Sequence, residues 1–364
     1  MKTHLFSEGT INGVTLKNRI VRSATWEGMC DEEGRPSERL IDLYRALCQG
    51  GVGLIVTGYT YVRSDGRQLP GKMGIDSDDQ IPALRNLTQA VHDAGGRIFC
   101  QLVHAGGQAS AKAIGGRPLA PSEVKDATSP DLPRAMDQQD IREIVAAFAA
   151  GAGRAKLAGF DGVQLHGAHG YLINQFLSPL TNLRQDSYGG SLENRMRFLQ
   201  DVYAAVRQEI GPSFPVTIKL TAADNIEGGI TLEEAVTVAR SLDEWGIDAI
   251  EVSSGTAASG EEGPIRRQID SPGREAYNAR YAKRIKEQVG VPVIAVGGFR
   301  SKAVSEIALE KGDADFIALS RPFIREPDLV RKWQEDSSQR AHCISCNGCF
   351  RPGIKEGGVR CVLV

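Results

Sequence analysis

The 364-residue sequence has no apolar run near the ~20 residues of a membrane span, stretches such as Val291 to Val296 being among its longest. Its amino terminus, MKTHLFSEGTING, lacks the apolar core of a secretory signal, so the sequence predicts a cytoplasmic protein. Charge of one sign is not in excess either. There are 43 basic and 45 acidic side chains, a formal net charge of −2, and no dense Lys/Arg cluster. These absences argue against nucleic acid and an anionic membrane surface as main partners and leave small ligands as the default. Cysteine is scarce through most of the chain, and seven in total is an odd number. Four of them, Cys343, Cys346, Cys349 and Cys361, crowd into the last 22 residues, unlike a secreted disulfide scaffold. Reduced thiols are expected, with Cys30, Cys48 and Cys100 as small buried or half-buried residues. Finally, no G-x-G-x-x-G opens a helix, which removes the turn that a doubly wound dinucleotide sheet needs.

What is present is a repeated strand–helix alternation. Strands are predicted at 19–23, 54–57, 97–102, 162–166, 216–220, 249–253, 291–296 and 315–319. Helical patterns follow at about 37–48, 80–93, 138–158, 191–210, 231–246, 277–288, 302–311 and 328–335. Thr231 and Glu234 form a capping box, Ser191 can cap its helix, and Gly159 and Gly246 are stop signals. Eight units with apolar strands joined by crossover helices predict an α/β fold, a (β/α)8 TIM barrel. The expected organisation is a barrel over residues 1–335 and a short cysteine-rich tail over 336–364.

In such a barrel the active site lies at the carboxyl ends of the strands. Polar and glycine residues gather at those ends: Ser23, Ala24, Thr25 and Trp26 after the first strand and Thr57, Gly58 and Tyr59 after the second. Gln101 and His104 end the third, His166 the fourth and Lys219 the fifth, with Gly297-Gly298 after the seventh and Ser320-Arg321 after the eighth. All are expected to converge on one mouth. His166, His169 and Tyr171 share the loop LHGAHGYL and can aim N–H and O–H donors at one oxygen, with Tyr171 able to supply a proton. The last two turns match a phosphate site built from backbone N–H groups and a cation. Arg184 and Asp186 can pair, and the segment PLTNLRQDSYGGSLENR reads as scaffold.

LKNRI near the start, Gln101-Leu-Val-His104-Ala-Gly, and HGAHGYLINQFLSPLTNLRQDSYGGSLENRMRF from His166 to Phe198 resemble the old yellow enzyme family of flavin-dependent oxidoreductases. The tail from Cys343 is similar instead to the iron–sulfur segment of the 2,4-dienoyl-CoA reductase branch. The resemblance implies a flavoenzyme that passes a hydride from NAD(P)H by way of FMN to the C=C bond of an α,β-unsaturated carbonyl compound. It implies that Gln101 and Lys219 meet the flavin pyrimidine edge, that Ser23, Ala24, Thr25 and Tyr59 line the ring, and that Gly297, Gly298, Ser320 and Arg321 hold the phosphate. His166 and His169 would bind the substrate carbonyl and Tyr171 would be the proton donor. Trp26 stands where many relatives have Cys or Thr, unless Thr25 takes that role, and is expected to fill the substrate wall.

Cys343, Cys346, Cys349 and Cys361 have spacings x2, x2 and x11, suited to one [4Fe–4S] cluster or a zinc ion. One spacing is a residue shorter than the reductase pattern, and with the chain stopping at Val364 an electron relay would need a partner protein. The expected assembly is a homo-oligomer. Two other readings stay open: an electron-transfer or dienoyl-CoA-type reductase component using the C-terminal cluster, and a flavin-free barrel lyase or isomerase.

Overall fold

A computed structural model describes residues 4–126, 129–336 and 338–363; Val364, where the chain stops, lies outside them. Eight parallel strands close on one another: β1 (Ile20–Arg22), β2 (Leu54–Val56), β3 (Ile98–Val103), β4 (Gly162–Gly167), β5 (Val216–Thr221), β6 (Ala249–Ser253), β7 (Val293–Val296) and β8 (Phe316–Leu319). Neighbours pair in sequence order, and β8 closes the ring on β1 through Ile317 opposite Ile20. This is the (β/α)8 barrel that the alternation predicts. The helices that return the chain are α1 (Glu38–Gln49), α2 (Ile81–Asp93), α3 (Gln138–Leu157), α4 (Leu192–Ile210), α5 (Leu232–Trp245), α6 (Ala279–Lys286), α7 (Lys302–Glu310) and α8 (Leu329–Glu335).

Local chemistry sets their ends. Thr231 accepts from Glu234 N while Glu234 reaches back to Thr231 N, a capping box worth about 1 kcal/mol. Gly246 closes α5 with φ 92°, a left-handed conformation that favours glycine. Ser191 accepts from Asn194 N at the start of α4, and Arg184 pairs with Asp186, as their residues suggest.

Two apolar layers hold the barrel. Leu102, Leu165, Ile218 and Ile250 point outward and pack under the helices. Val21, Leu54, Phe99, Ala249, Ile294 and Phe316 point inward and meet in a separate cluster. Ile11 and Leu16 join that cluster from a hairpin, Gly9–Ile11 with Val14–Leu16, that closes the floor. This hairpin is absent from the strands predicted above, although Asn12-Gly13, with φ 40° and 78°, is a strong two-residue hairpin signal. Strands of three residues are too short to show a period. After α8 the tail turns back over the mouth. Arg340 bridges to Ser301, Val359 N donates to Glu27 O, and a short helix α9 (Phe350–Lys355) lies against Trp26.

Candidate active site

Because side chains alternate along a strand, the residue two beyond each inward apolar residue also faces the barrel axis. At that height the interior becomes polar. Val21 is followed by Ser23, Phe99 by Gln101, and Ala249 by Glu251, while Gln164 and Lys219 come from β4 and β5. These five buried side chains form one chain of contacts. Gln101 Nε2 donates to Gln164 Oε1 (2.8 Å), and Gln164 Nε2 to Glu251 Oε2 (2.9 Å). Ser23 Oγ donates to Glu251 Oε1 (2.6 Å) and accepts from Lys219 Nζ (2.8 Å), which is 3.1 Å from Glu251 Oε1. A fully buried carboxylate is tolerated there because a cation and two donors surround it.

Above this floor opens a cavity of about 300 Å³. One wall is the loop after β4. His169 has φ 63°; its N–H donates to Thr221 Oγ1 (3.0 Å) and its Nε2 shares a hydrogen bond with Ser253 Oγ (2.7 Å). His166 Nδ1 accepts from Ala168 N (3.3 Å), which places the proton of the neutral ring on Nε2. The two rings meet edge-on at 5.2 Å, and Tyr171 packs 4.7 Å from His166 and 5.2 Å from Tyr59. Burial, aided for His166 by His169 and Lys219, holds the His166 imidazolium well below its usual range. Burial, then the Lys219 charge, lowers His169 to about 3. Both are therefore neutral donors at physiological pH. Burial raises the Tyr171 phenol, so it keeps its proton, which it donates to Gln68 Oε1 (2.9 Å).

The opposite end of the cavity is cationic and has little room for side chains. Gly297 (φ 144°) and Gly298 (φ 74°) pass close under Tyr277, and a Cβ on either would lie 2.9 Å from its ring carbons. Arg321 follows Ser320, whose Oγ is 2.6 Å from Thr25 Oγ1. Buried N–H groups beside this turn lack a hydrogen-bond acceptor: Arg300 Nε, Arg266 Nε and Arg266 Nη2, the last 3.9 Å from Glu262. Unsatisfied guanidinium donors around a glycine cradle fit a phosphate, and the amide and ammonium of Gln101 and Lys219 fit a polar ring edge. The residues present thus suit FMN.

Most of the predicted site residues come together here. Ser23, Ala24, Thr25, Trp26, Tyr59, Gln101, His166, His169, Tyr171, Lys219, Gly297, Gly298, Ser320 and Arg321 all face this one cavity. Three expected mouth residues do not. His104 is turned away, its Nε2 on Asp65 (3.1 Å) and its Nδ1 accepting from Gly106 N. Thr57 holds Gln101 N, and Gly58 N donates to Glu27, so both support the mouth from behind. Several lining residues were not picked from the sequence: Gln68, Lys72, Gln108, Tyr277, Arg300 and Phe350. Glu251 and Gln164 were missed too, each being a single polar residue on a strand buried on both faces, where no alternation marks the inward side.

Trp26 does form a wall, stacked 6.5 Å from Phe350 of the tail and donating Nε1 to Pro70 O (3.2 Å). The four tail cysteines line a second cavity of about 20 Å³ that Arg321 also borders. All four are free thiols, and burial, with Cys343 as neighbour, pushes Cys349 up to about 11. No three His, Cys, Asp or Glu side chains among the described residues stand close enough to hold a metal ion, so the expected four-thiolate site is not formed in this arrangement.

The NADH:flavin oxidoreductase / NADH oxidase family matches residues 4–340. The chain belongs to this family. An NADPH dehydrogenase of Geobacillus sp. (strain WCH70) is 40% identical over 329 residues, 90% of this chain and 92% of that protein. An NADH oxidase of Thermoanaerobacter brockii is 38% identical over 353 residues, 95% of this chain. The chain spans about half (53%) of that relative's length. Among solved structures, the old yellow enzyme homologue of Zymomonas mobilis superposes with a TM-score of 0.80 at 30% identity, covering 94% of this chain and 95% of that one. The old yellow enzyme resemblance is thereby borne out. A flavin-free lyase or isomerase finds no support in a family of flavin oxidoreductases. No helix among the described residues is long and apolar enough to cross a membrane.

Proposed function

We propose that this chain is an FMN-dependent NAD(P)H oxidoreductase that reduces the C=C bond of α,β-unsaturated carbonyl compounds. The observation that carries the reading is the trio His166, His169 and Tyr171, two neutral imidazoles and a protonated phenol on one wall, facing a floor and an anion cradle that suit FMN. Bound in that cavity, FMN supplies hydride transfer between the nicotinamide and the alkene. Gly297, Gly298, Ser320 and Arg321 would hold its phosphate, Gln101 and Lys219 its pyrimidine edge, and Ser23, Ala24, Thr25 and Tyr59 its ring. His166 Nε2–H and the second ring aim at a carbonyl oxygen on which negative charge grows, lowering the barrier because the donors are already oriented. The Tyr171 O–H supplies the proton that completes the saturated product. The chain of buried contacts in the floor excludes water from that side of the cavity.

The test is to purify the protein, release and identify its flavin, and follow NADPH and NADH consumption with cyclohex-2-enone. FMN together with enone-dependent turnover supports the reading; FAD, or no flavin, overturns it.

A second element of the reading concerns the tail. Cys343, Cys346, Cys349 and Cys361 border one small cavity without standing at ligating distance; a [4Fe–4S] cluster or a zinc ion would have to draw them together, and a cluster would suit a dienoyl-CoA-type or electron-transfer role with a partner. Anaerobic preparation and analysis decide it. About four irons and four sulfides per chain support the cluster, zinc alone makes the tail structural, and neither leaves free thiols.

A further inference from the structure

Four cations face the active-site cavity, Lys72, Lys219, Arg300 and Arg321, and no Asp or Glu among the described residues lines it. Three of the four have an evident counterpart. Lys219 is paired with Glu251 (3.1 Å), and Arg300 and Arg321 stand at the phosphate end, Arg321 also donating to Arg266 O (2.8 Å). Lys72 is left over. It is 3% exposed, yet its Nζ makes no hydrogen bond or ion pair with any described residue. It rests 3.5 Å from the centre of the Tyr59 ring and 5.8 Å from that of Tyr171, beside the proposed proton donor and away from the phosphate end.

The backbone fixes it there. Met73–Gly74 pairs with Thr60–Tyr61, which pairs in turn with Leu102–Val103 of β3. Gly71 (φ 64°) lies so close to Gly28 that a Cβ would come within 2.7 Å of its carbonyl carbon, and Pro70 O accepts from Trp26. The carboxylate whose field reaches Lys72 is Glu27, but that group is already bound by Arg22 (2.6 Å) and Tyr44 (2.7 Å). Burial drives the ammonium toward its neutral form. A cation–π contact recovers part of that cost, and an anion beside it would recover more.

Resting on the reading that unsaturated carbonyl compounds bind against His166, His169 and Tyr171, we propose that Lys72 determines specificity: the compound reduced carries a carboxylate that pairs with the Lys72 ammonium group. The histidines take the carbonyl oxygen and Lys72 takes the second, charged group, so the substrate is held at two points across the alkene.

The experiment is isothermal titration calorimetry on the oxidised FMN holoenzyme, where no turnover occurs, with trans-4-oxopent-2-enoate and its methyl ester. The pair shares one skeleton and differs in the charge. Wild type should bind the acid at least about tenfold more tightly than the ester, as expected for a buried charged hydrogen bond. That ratio should fall to about one in Lys72→Met and recover in part in Lys72→Arg, with FMN content and circular dichroism showing both variants folded. An unchanged ratio in Lys72→Met, no preference for the acid in wild type, or no binding of the acid at millimolar concentration overturns the proposal. Reduction of the ester by the NADPH-reduced enzyme is scored separately. Ester reduction without a Lys72-dependent ratio sinks this proposal and leaves the enone reading standing; a Lys72-dependent ratio with neither compound reduced sinks the enone reading, and with it the specificity claim, leaving Lys72 an anion-binding residue only.

Discussion

At the level of single residues, the site depends on charges and protons held where burial would otherwise remove them. Glu251 is the hub, touching Ser23, Gln164 and Lys219. Glu251→Gln leaves Lys219 a buried cation without its counter-charge, so stability should fall by about 3 kcal/mol or more, read by denaturant unfolding. The midpoint potential of the bound FMN should also move upward, because an uncompensated cation favours the electron-rich form; a potential unchanged from wild type would count against Lys219 lying at the ring edge. The histidines give a pH dependence of definite sign. His169 lies at about 3 in the folded protein against 6.5 for an ordinary imidazole, so between those values the unfolded chain binds a proton that the folded one does not. Stability should therefore drop as pH falls from about 6.5, with nothing gained from this group above it. Thermal melts of wild type and His169→Asn between pH 7 and 4.5 check this, the variant showing the shallower slope. These side chains were only partly legible in the sequence. His166, His169 and Tyr171 announce themselves by sharing a loop, but the lowered imidazole pKa comes from burial and from Lys219, a residue on another strand.

At the level of elements, the barrel strands were readable because each is a short apolar run with a helical pattern after it. Their alternating interior, apolar below and polar above, was hidden since both faces are buried and a single polar residue such as Gln164 or Glu251 sits among Val, Leu and Ile. The short helices Leu172–Leu177 and α9 were not legible, being too brief for any period, and the floor hairpin is signalled by its Asn12-Gly13 turn alone. The seventh turn is the element on which cofactor retention should depend most. Gly298→Ala must place a side chain at φ 74° and 2.9 Å from the Tyr277 ring. It should leave the circular dichroism spectrum nearly unchanged and weaken FMN binding by about tenfold or more, measured by fluorescence on titrating FMN into the apoprotein. The tail acts on the same cavity through Trp26 and Phe350. Phe350→Ala should make the tail more open to limited proteolysis while the barrel core resists.

At the level of the whole molecule, one end of a closed barrel gathers a glycine turn flanked by arginines, a charged floor and a wall of neutral donors, with a cysteine-rich tail folded over the rim. The chain aligns along nearly the full length of an NADPH dehydrogenase but along about half of an NADH oxidase. The direct test is anaerobic stopped-flow of the FMN holoenzyme, wild type against Tyr171→Phe, with each half-reaction timed on its own. Reduction by NADPH should keep its rate within about twofold, while reoxidation by cyclohex-2-enone should slow by about 100-fold or more, as for loss of a positioned proton donor. Equal slowing of both half-reactions, or reoxidation at the wild-type rate, would contradict the account.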